Sequence, residues 1–228
     1  MKVTLTHITD NPVDAIEAAA CNCYDSEPTG GKIMKSCYNS GHHSVLEFAN
    51  FTFHIEGVSR ALLAQLTRHR HASFAVRSQR YCNEDGFGYV TPPTIAANPV
   101  AKSLYNELIE DITLLYKSLQ EAGIPNEDAR YILPNACETT LEFSCNGREL
   151  IHIANERLCT RAQWEIRMLV KAMVEEVAKA CPEFAAFLVP KCEKYGKDKG
   201  FCTEHSSCGR HPKLKEIFLD HEAYRTLG

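Results

Sequence analysis

The segment Arg68-His69-Arg70-His71-Ala72-Ser73-Phe74-Ala75-Val76-Arg77-Ser78-Gln79-Arg80-Tyr81 sets four arginines and two histidines around two serines. No apolar core can absorb that cationic density, so the fold must leave the segment at the surface or line a pocket with it. Guanidinium groups held partly out of water need acceptors such as carboxylate or phosphate, and several together point to a phosphate-binding pocket. The interleaved apolar residues and Tyr81 argue against a freely solvated tail.

A chain of 228 residues with 44% hydrophobic content can bury a substantial core as one domain over residues 1–228. Residues 191–228 then read as a Cys/His-containing C-terminal extension. The formal charge of −4, with basic residues concentrated locally, does not suggest a general nucleic-acid binder. Met1 to Thr9 is too short and polar for the apolar region of a signal peptide, and no apolar run reaches membrane-span length. Eleven cysteines without a secretory signal read as reduced thiols, which places the protein in the cytoplasm.

Periodicity predicts an α+β chain. Asn11-Pro12 starts a helix carrying Val13, Ile16, Ala20 and Cys23 to about Tyr24, and a second helix spans 33–40 before Gly41. Phe51, Phe53 and Ile55 alternate with polar residues through a strand at 50–56. Ser59 caps a helix with Leu62, Leu63 and Leu66 inward and Gln65 and Arg68 outward, so the basic motif begins where a helix gives way to a loop. Asn98-Pro99 opens the longest helix, with Leu104, Leu108, Ile112, Leu115 and Leu119 as its apolar stripe and Gly123 at its end. A strand at 137–145 follows, then helices opening at Asn146 and spanning 162–179. No Gly-rich turn follows any strand, which argues against a dinucleotide-binding doubly wound sheet.

Arg-His-Arg, seven residues, then Ser-x-Arg resembles the signature of the flavin-dependent thymidylate synthases. Further matches fall in the same order: Gly41-His42-His43-Ser44 with Glu47, Gln65, Ala129-Arg130-Tyr131, Asn146-Gly147-Arg148-Glu149, and Arg157 before Ala162-Gln163-Trp164. The resemblance covers roughly residues 1 to 190. It implies a central antiparallel sheet flanked by helices, assembled as a homotetramer with active sites at subunit interfaces. The reaction implied is reductive methylation of dUMP to dTMP. In it 5,10-methylenetetrahydrofolate gives the carbon, FAD reduced by NADPH gives the hydride, and tetrahydrofolate leaves.

By position, the resemblance assigns Ser44, Arg68, His69, Arg70, Asn146, Gly147, Arg148 and His152 to FAD. It assigns Gln65, Arg68, Arg77, Ser78, Gln79, Arg80, Arg130 and Arg157 to dUMP. Arg157 matches the family residue proposed to favour ionisation at N3 of the uracil, and a fixed positive charge there would enrich electron density at C5. Ser78, close in sequence to His69 and His71, reads as a phosphate ligand rather than a nucleophile, and Cys82 as a chance neighbour. Val76 departs from the family pattern, which often has Glu or Gln there.

Helix geometry adds a constraint. Arg148 and His152 share one face of the helix from Asn146, while Arg157 lies on roughly the opposite side at about 100° per residue. Unless the helix breaks, one chain contributes to more than one pocket. Cys192, Cys202, His205, Cys208 and His211 have zinc-ligand chemistry. Their spacing is not a paired-ligand knuckle, so the segment reads as a reduced, loop-rich extension with no metal. Two other classes compete: a nucleic-acid-binding module using Arg68 to Arg80 with Phe74 and Tyr81 stacking on bases, and a zinc-stabilised interaction protein.

Overall fold

Short runs of β-branched and aromatic residues, punctuated by polar caps, set the element boundaries in the computed structural model, which describes residues 1–23, 25–214 and 216–217. In chain order these are β1 (Lys2–Ile8), α1 (Pro12–Cys21), α2 (Lys32–Asn39), β2 (Asn50–Ser59), α3 (Arg60–Leu66) and β3 (Ala72–Val76). The short α4 (Pro93–Ala96) precedes the long α5 (Pro99–Glu121), followed by α6 (Asn126–Ala129) and β4 (Glu138–Asn146). Then come α7 (Gly147–Arg157), α8 (Trp164–Ala180) and α9 (Pro182–Ala185).

The strands form one sheet in the order β1-β2-β4-β3. Lys2 meets Glu56 while Thr9 N donates to Asn50 O. His54 Nδ1 lies 2.5 Å from Glu142 Oε1 and Thr52 Oγ1 2.9 Å from Ser144 Oγ. Arg77 N donates to Thr140 O, and Phe74 packs on Phe143. In each pairing one number rises as the other falls, so the sheet is antiparallel throughout. This bears out the α+β architecture. The chain divides into two compact units, residues 1–4 with 53–143 and residues 5–52 with the described residues from 144 on.

The first unit buries Phe53, Ile55 and Phe143, and Leu62 and Leu66 of α3 are fully enclosed. Ser59 caps α3, accepting from Leu62 N at 3.0 Å. Asn98 caps α5 likewise, through Ala101 N. The inward face of α5 is not the one its leucines suggest. Ile109 and Tyr116 are buried and Tyr105, Ile112 and Leu119 half-buried, whereas Leu104, Leu108 and Leu115 are 62%, 57% and 49% exposed. The core stripe runs at steps of four and three, the true helical repeat, while 104–108–112 drifts off it. The helix therefore has two apolar faces, and only the tyrosine-bearing one meets Phe87, Cys137 and Leu133.

The second unit packs Ile16 and Ala20 of α1, Leu150 and Ile153 of α7, and Ile166, Leu169, Val170, Met173 and Val177 of α8 into its core. Phe51 packs tilted against Phe184, and Tyr38 stacks on Phe187. Buried Gly147 opens α7, and a Cβ there would stand 2.7 Å from both Leu46 O and the Phe184 ring. The first helix ends at Cys21; Tyr24 lies outside the described residues, as do Lys215 and 218–228 of the C-terminal extension.

Two strands form where the sequence pattern shows none: β1 in the polar N-terminal stretch, and β3 in the stretch expected to be a loop after α3. Both sit at sheet edges, where polar residues are tolerated and the apolar alternation is weak.

Candidate active site

The basic motif is built in the first unit by α3, β3 and the turn beyond. Gln65 is half-buried on α3, and at the α3–β3 junction Arg68 and Arg70 are exposed while His69 is buried. Along β3, Ala72, Phe74 and Val76 are half-buried and Ser73 and Ala75 exposed. Alternation thus aims Val76 at the packed face, where valine fits better than a carboxylate.

After β3 the chain tightens. Arg80 N donates to Ser78 Oγ at 3.2 Å and Cys82 N to Ser78 O at 2.9 Å. Arg80 Nε donates to Glu127 Oε2 at 2.6 Å, and Arg130 Nε to the carbonyl of the same glutamate at 3.0 Å. Gln79 Nε2 reaches Cys137 Sγ at 3.5 Å. Ser78, Gln79, Arg80 and Arg130 are thereby drawn into one cluster. Arg77 differs: its Nε donates to the buried Glu84 and one Nη to Asn83 O, so two of its nitrogens are spent on shaping the turn. Arg60, not singled out in the sequence, donates from Nη2 to Arg77 O at 2.8 Å, and its Nε is buried without a hydrogen-bond partner. Its signal was a charge at the first position of an otherwise apolar helix; Glu84 and Glu127 carried none, being ordinary acids until the turn closes.

In the second unit, Asn146 caps α7 by accepting from Glu149 N at 2.9 Å. Exposed Arg148 and His152 project from one face, one turn apart, with exposed Ser44 on the 3₁₀ turn His43–Phe48. Arg148 Nη1 donates to Glu47 Oε1 at 2.7 Å, which leaves most of its guanidinium donors facing outward. Gly147 N is spent on Ala49 O at 2.7 Å. Helix α7 runs unbroken to Arg157, which is half-buried in its last turn, where a cation also complements the helix dipole. Arg148 and Arg157 therefore point to opposite sides.

The stacking alternative gains no support from the geometry of Phe74. Phe74 packs against Phe143, while Tyr81 is exposed.

The protein family described as thymidylate synthase complementing protein matches residues 4–183. The flavin-dependent thymidylate synthase of Clostridium tetani is 37% identical over 247 residues, covering 96% of this chain and 97% of that protein. The Geobacter sulfurreducens enzyme of the same name is 38% identical over 234 residues, with 96% and 99% covered. Among solved structures, the Helicobacter pylori flavin-dependent thymidylate synthase complexed with FAD and dUMP superposes with a TM-score of 0.69 at 27% identity, covering 83% of this chain and 100% of that one.

Proposed function

The chain belongs to the flavin-dependent thymidylate synthase family, and from that premise we infer that it makes dTMP by reductive methylation of dUMP, with FAD as its flavin. The observation that carries this reading is the cluster in which Glu127 and the 78–80 turn gather Ser78, Gln79, Arg80 and Arg130. Two guanidinium groups beside a serine hydroxyl and a carboxamide suit a nucleotide monophosphate, since the arginines match phosphate oxygens and the amide can address a base or sugar. Gln65 and Arg68, from α3 and its end, are the further dUMP contacts in this reading.

The donor set on α7 fits FAD. Arg148 and His152 present cationic and hydrogen-bonding groups on one exposed face beside Ser44 and the Asn146 cap, and a pyrophosphate is dianionic. When bound, the reduced flavin supplies the hydride; we take NADPH as its reductant and 5,10-methylenetetrahydrofolate as the carbon donor, in keeping with the family. The protein's own part is electrostatic and positional. Arg80, Arg130 and Arg68 hold the phosphate, and Arg157 holds positive charge at the uracil, favouring loss of the N3 proton and making C5 the nucleophile. No side chain need form a bond to the substrate, which leaves Ser78 as a ligand.

The opposed directions of Arg148 and Arg157 support pockets built from more than one subunit. So does the exposed face of α5, where Val100, Leu104, Leu108 and Leu115 form an apolar stripe suited to burial in a homotetramer. Among the described residues no helix is long and apolar enough to cross a membrane. Tritium release from C5-labelled dUMP, with methylenetetrahydrofolate, NADPH and FAD, tests the assignment. Release that needs both folate and flavin and is lost in Arg157→Ala with its fold retained supports it; no release from folded, flavin-loaded protein removes it.

A further inference from the structure

Beyond the family match, which ends at residue 183, the C-terminal segment has its own architecture. Through residues 191–214 only Gly200 is buried, and the regular structure is limited to short 3₁₀ turns and an isolated bridge between Cys202 and Lys213. Its ring contacts among the described residues are one aromatic stack, Tyr195 on Phe201, and the Lys194 ammonium over the Tyr195 ring. A segment this short cannot hold itself folded by apolar burial and needs a staple.

What the segment is wound around is a cluster of cysteines. Phe201 N donates to Cys192 O at 3.1 Å, Cys202 N to Pro212 O at 2.8 Å and Leu214 N to Cys202 O at 3.2 Å. These bonds fold the 3₁₀ turn of Cys192, the bridge at Cys202 and the turn at His211 together. The His211 ring lies so close over Gly200 that a Cβ there would fall 2.6 Å from two ring atoms. Cys192 Sγ, a Glu193 carboxylate oxygen and a His211 ring nitrogen all lie within 4.8 Å of one another. A cavity of about 20 Å³ is lined by Cys192 and His211 and by Cys159, Cys202 and Cys208. That volume suits one ion or one water, not an organic ligand.

We propose that this cavity is a structural zinc site, with Cys192 and His211 as ligands and the remaining positions filled from Cys159, Cys202 and Cys208. Thiolate and imidazole together select zinc over magnesium or calcium, and four such donors in tetrahedral array make a closed structural site. Each ligating thiol loses its proton to solvent as the metal enters. The spacing from 192 to 211 makes no paired knuckle, and Cys159, from the loop after α7, joins the cluster only through the fold. Zinc would tie the extension to the chain two residues beyond Arg157, and so steady that arginine.

The test uses the full-length protein, freed of any histidine tag. Elemental analysis of protein expressed with added zinc is expected to give about one zinc per chain, falling roughly tenfold or more in Cys192→Ser and in His211→Ala but not in Cys23→Ser, whose thiol is exposed outside the cluster. Because the variants could misfold, wild-type protein stripped of metal is also titrated with cobalt(II). A thiolate-to-metal charge-transfer band with tetrahedral d–d absorption is expected. Absence of both zinc and the cobalt spectrum overturns the proposal, as does zinc that survives in both ligand variants. Thiol counting on the denatured, unreduced protein with chelator should find all eleven cysteines; a count two short would make the cluster a disulfide and refuse the metal.

Discussion

Arg80 Nε stands 2.6 Å from Glu127 Oε2, and the main-chain carbonyl of that glutamate accepts from Arg130 Nε. One acidic residue thus contacts both arginines proposed here for the nucleotide phosphate. Arg80 and Glu127 are both about half exposed, so the ion pair itself is worth little in stability. Its weight falls on positioning. Glu127→Gln should raise the KM for dUMP up to about fivefold, the equivalent of about 1 kcal/mol, with kcat and melting temperature nearly unchanged. Steady-state kinetics against dUMP decides it, and an unchanged KM would mean the arginines hold their places without the glutamate.

Arg148 and Arg157 lie on opposite faces of an unbroken α7. Arg148→Ala should weaken FAD binding and Arg157→Ala should abolish turnover. If each pocket draws these residues from different subunits, mixing the two inactive variants under subunit exchange should recover part of the activity. No recovery, with exchange verified by mass-tagged subunits, would return both residues to one chain's pocket.

Glu17, buried on α1, does the capping that Gly31 cannot do for α2. Its Oε1 accepts from Gly31 N, Ile33 N and Met34 N at 2.8, 2.9 and 3.2 Å, and Oε2 from Thr29 N at 2.6 Å. Burial pushes this carboxyl's pKa up, but the four backbone amides together outweigh it and hold the pKa below its ordinary 4.5. The stabilisation is full above the unfolded-state value and fades as pH falls through the lower folded value. Glu17→Gln should cost about 2 kcal/mol at pH 7 by chemical denaturation, with the gap to wild type narrowing in acid. A gap that does not change with pH would show the charge to be irrelevant.

Burial, with Glu84 close by, pushes the Cys137 thiol up to about 11 against the opposing charge of Arg60. At pH 8 roughly one molecule in a thousand carries the thiolate. Iodoacetamide should label exposed Cys23 long before Cys137 in the native protein, as peptide mass spectrometry would show. Early labelling of Cys137 would mean that the loop over it opens readily.

The sequence by itself determined the helix starts at Ser59, Asn98 and Asn146, the two inner strands, and the family, because these rest on local chemistry: a side-chain oxygen over free amides, a period of two, a motif of fixed spacing. It also marked a dense basic run suited to an anion. Only the tertiary structure decided the rest. Which apolar face of α5 enters the core depends on what Phe87 and Cys137 present to it. Whether the stretch after Arg70 is loop or strand depends on β4 offering its edge. Whether Arg77 faces a ligand or the turn depends on a buried Glu84 seven residues away. Cys159 joins Cys192 and His211 by the same kind of cause, a contact between residues distant in the chain, which no spacing rule encodes and only packing creates.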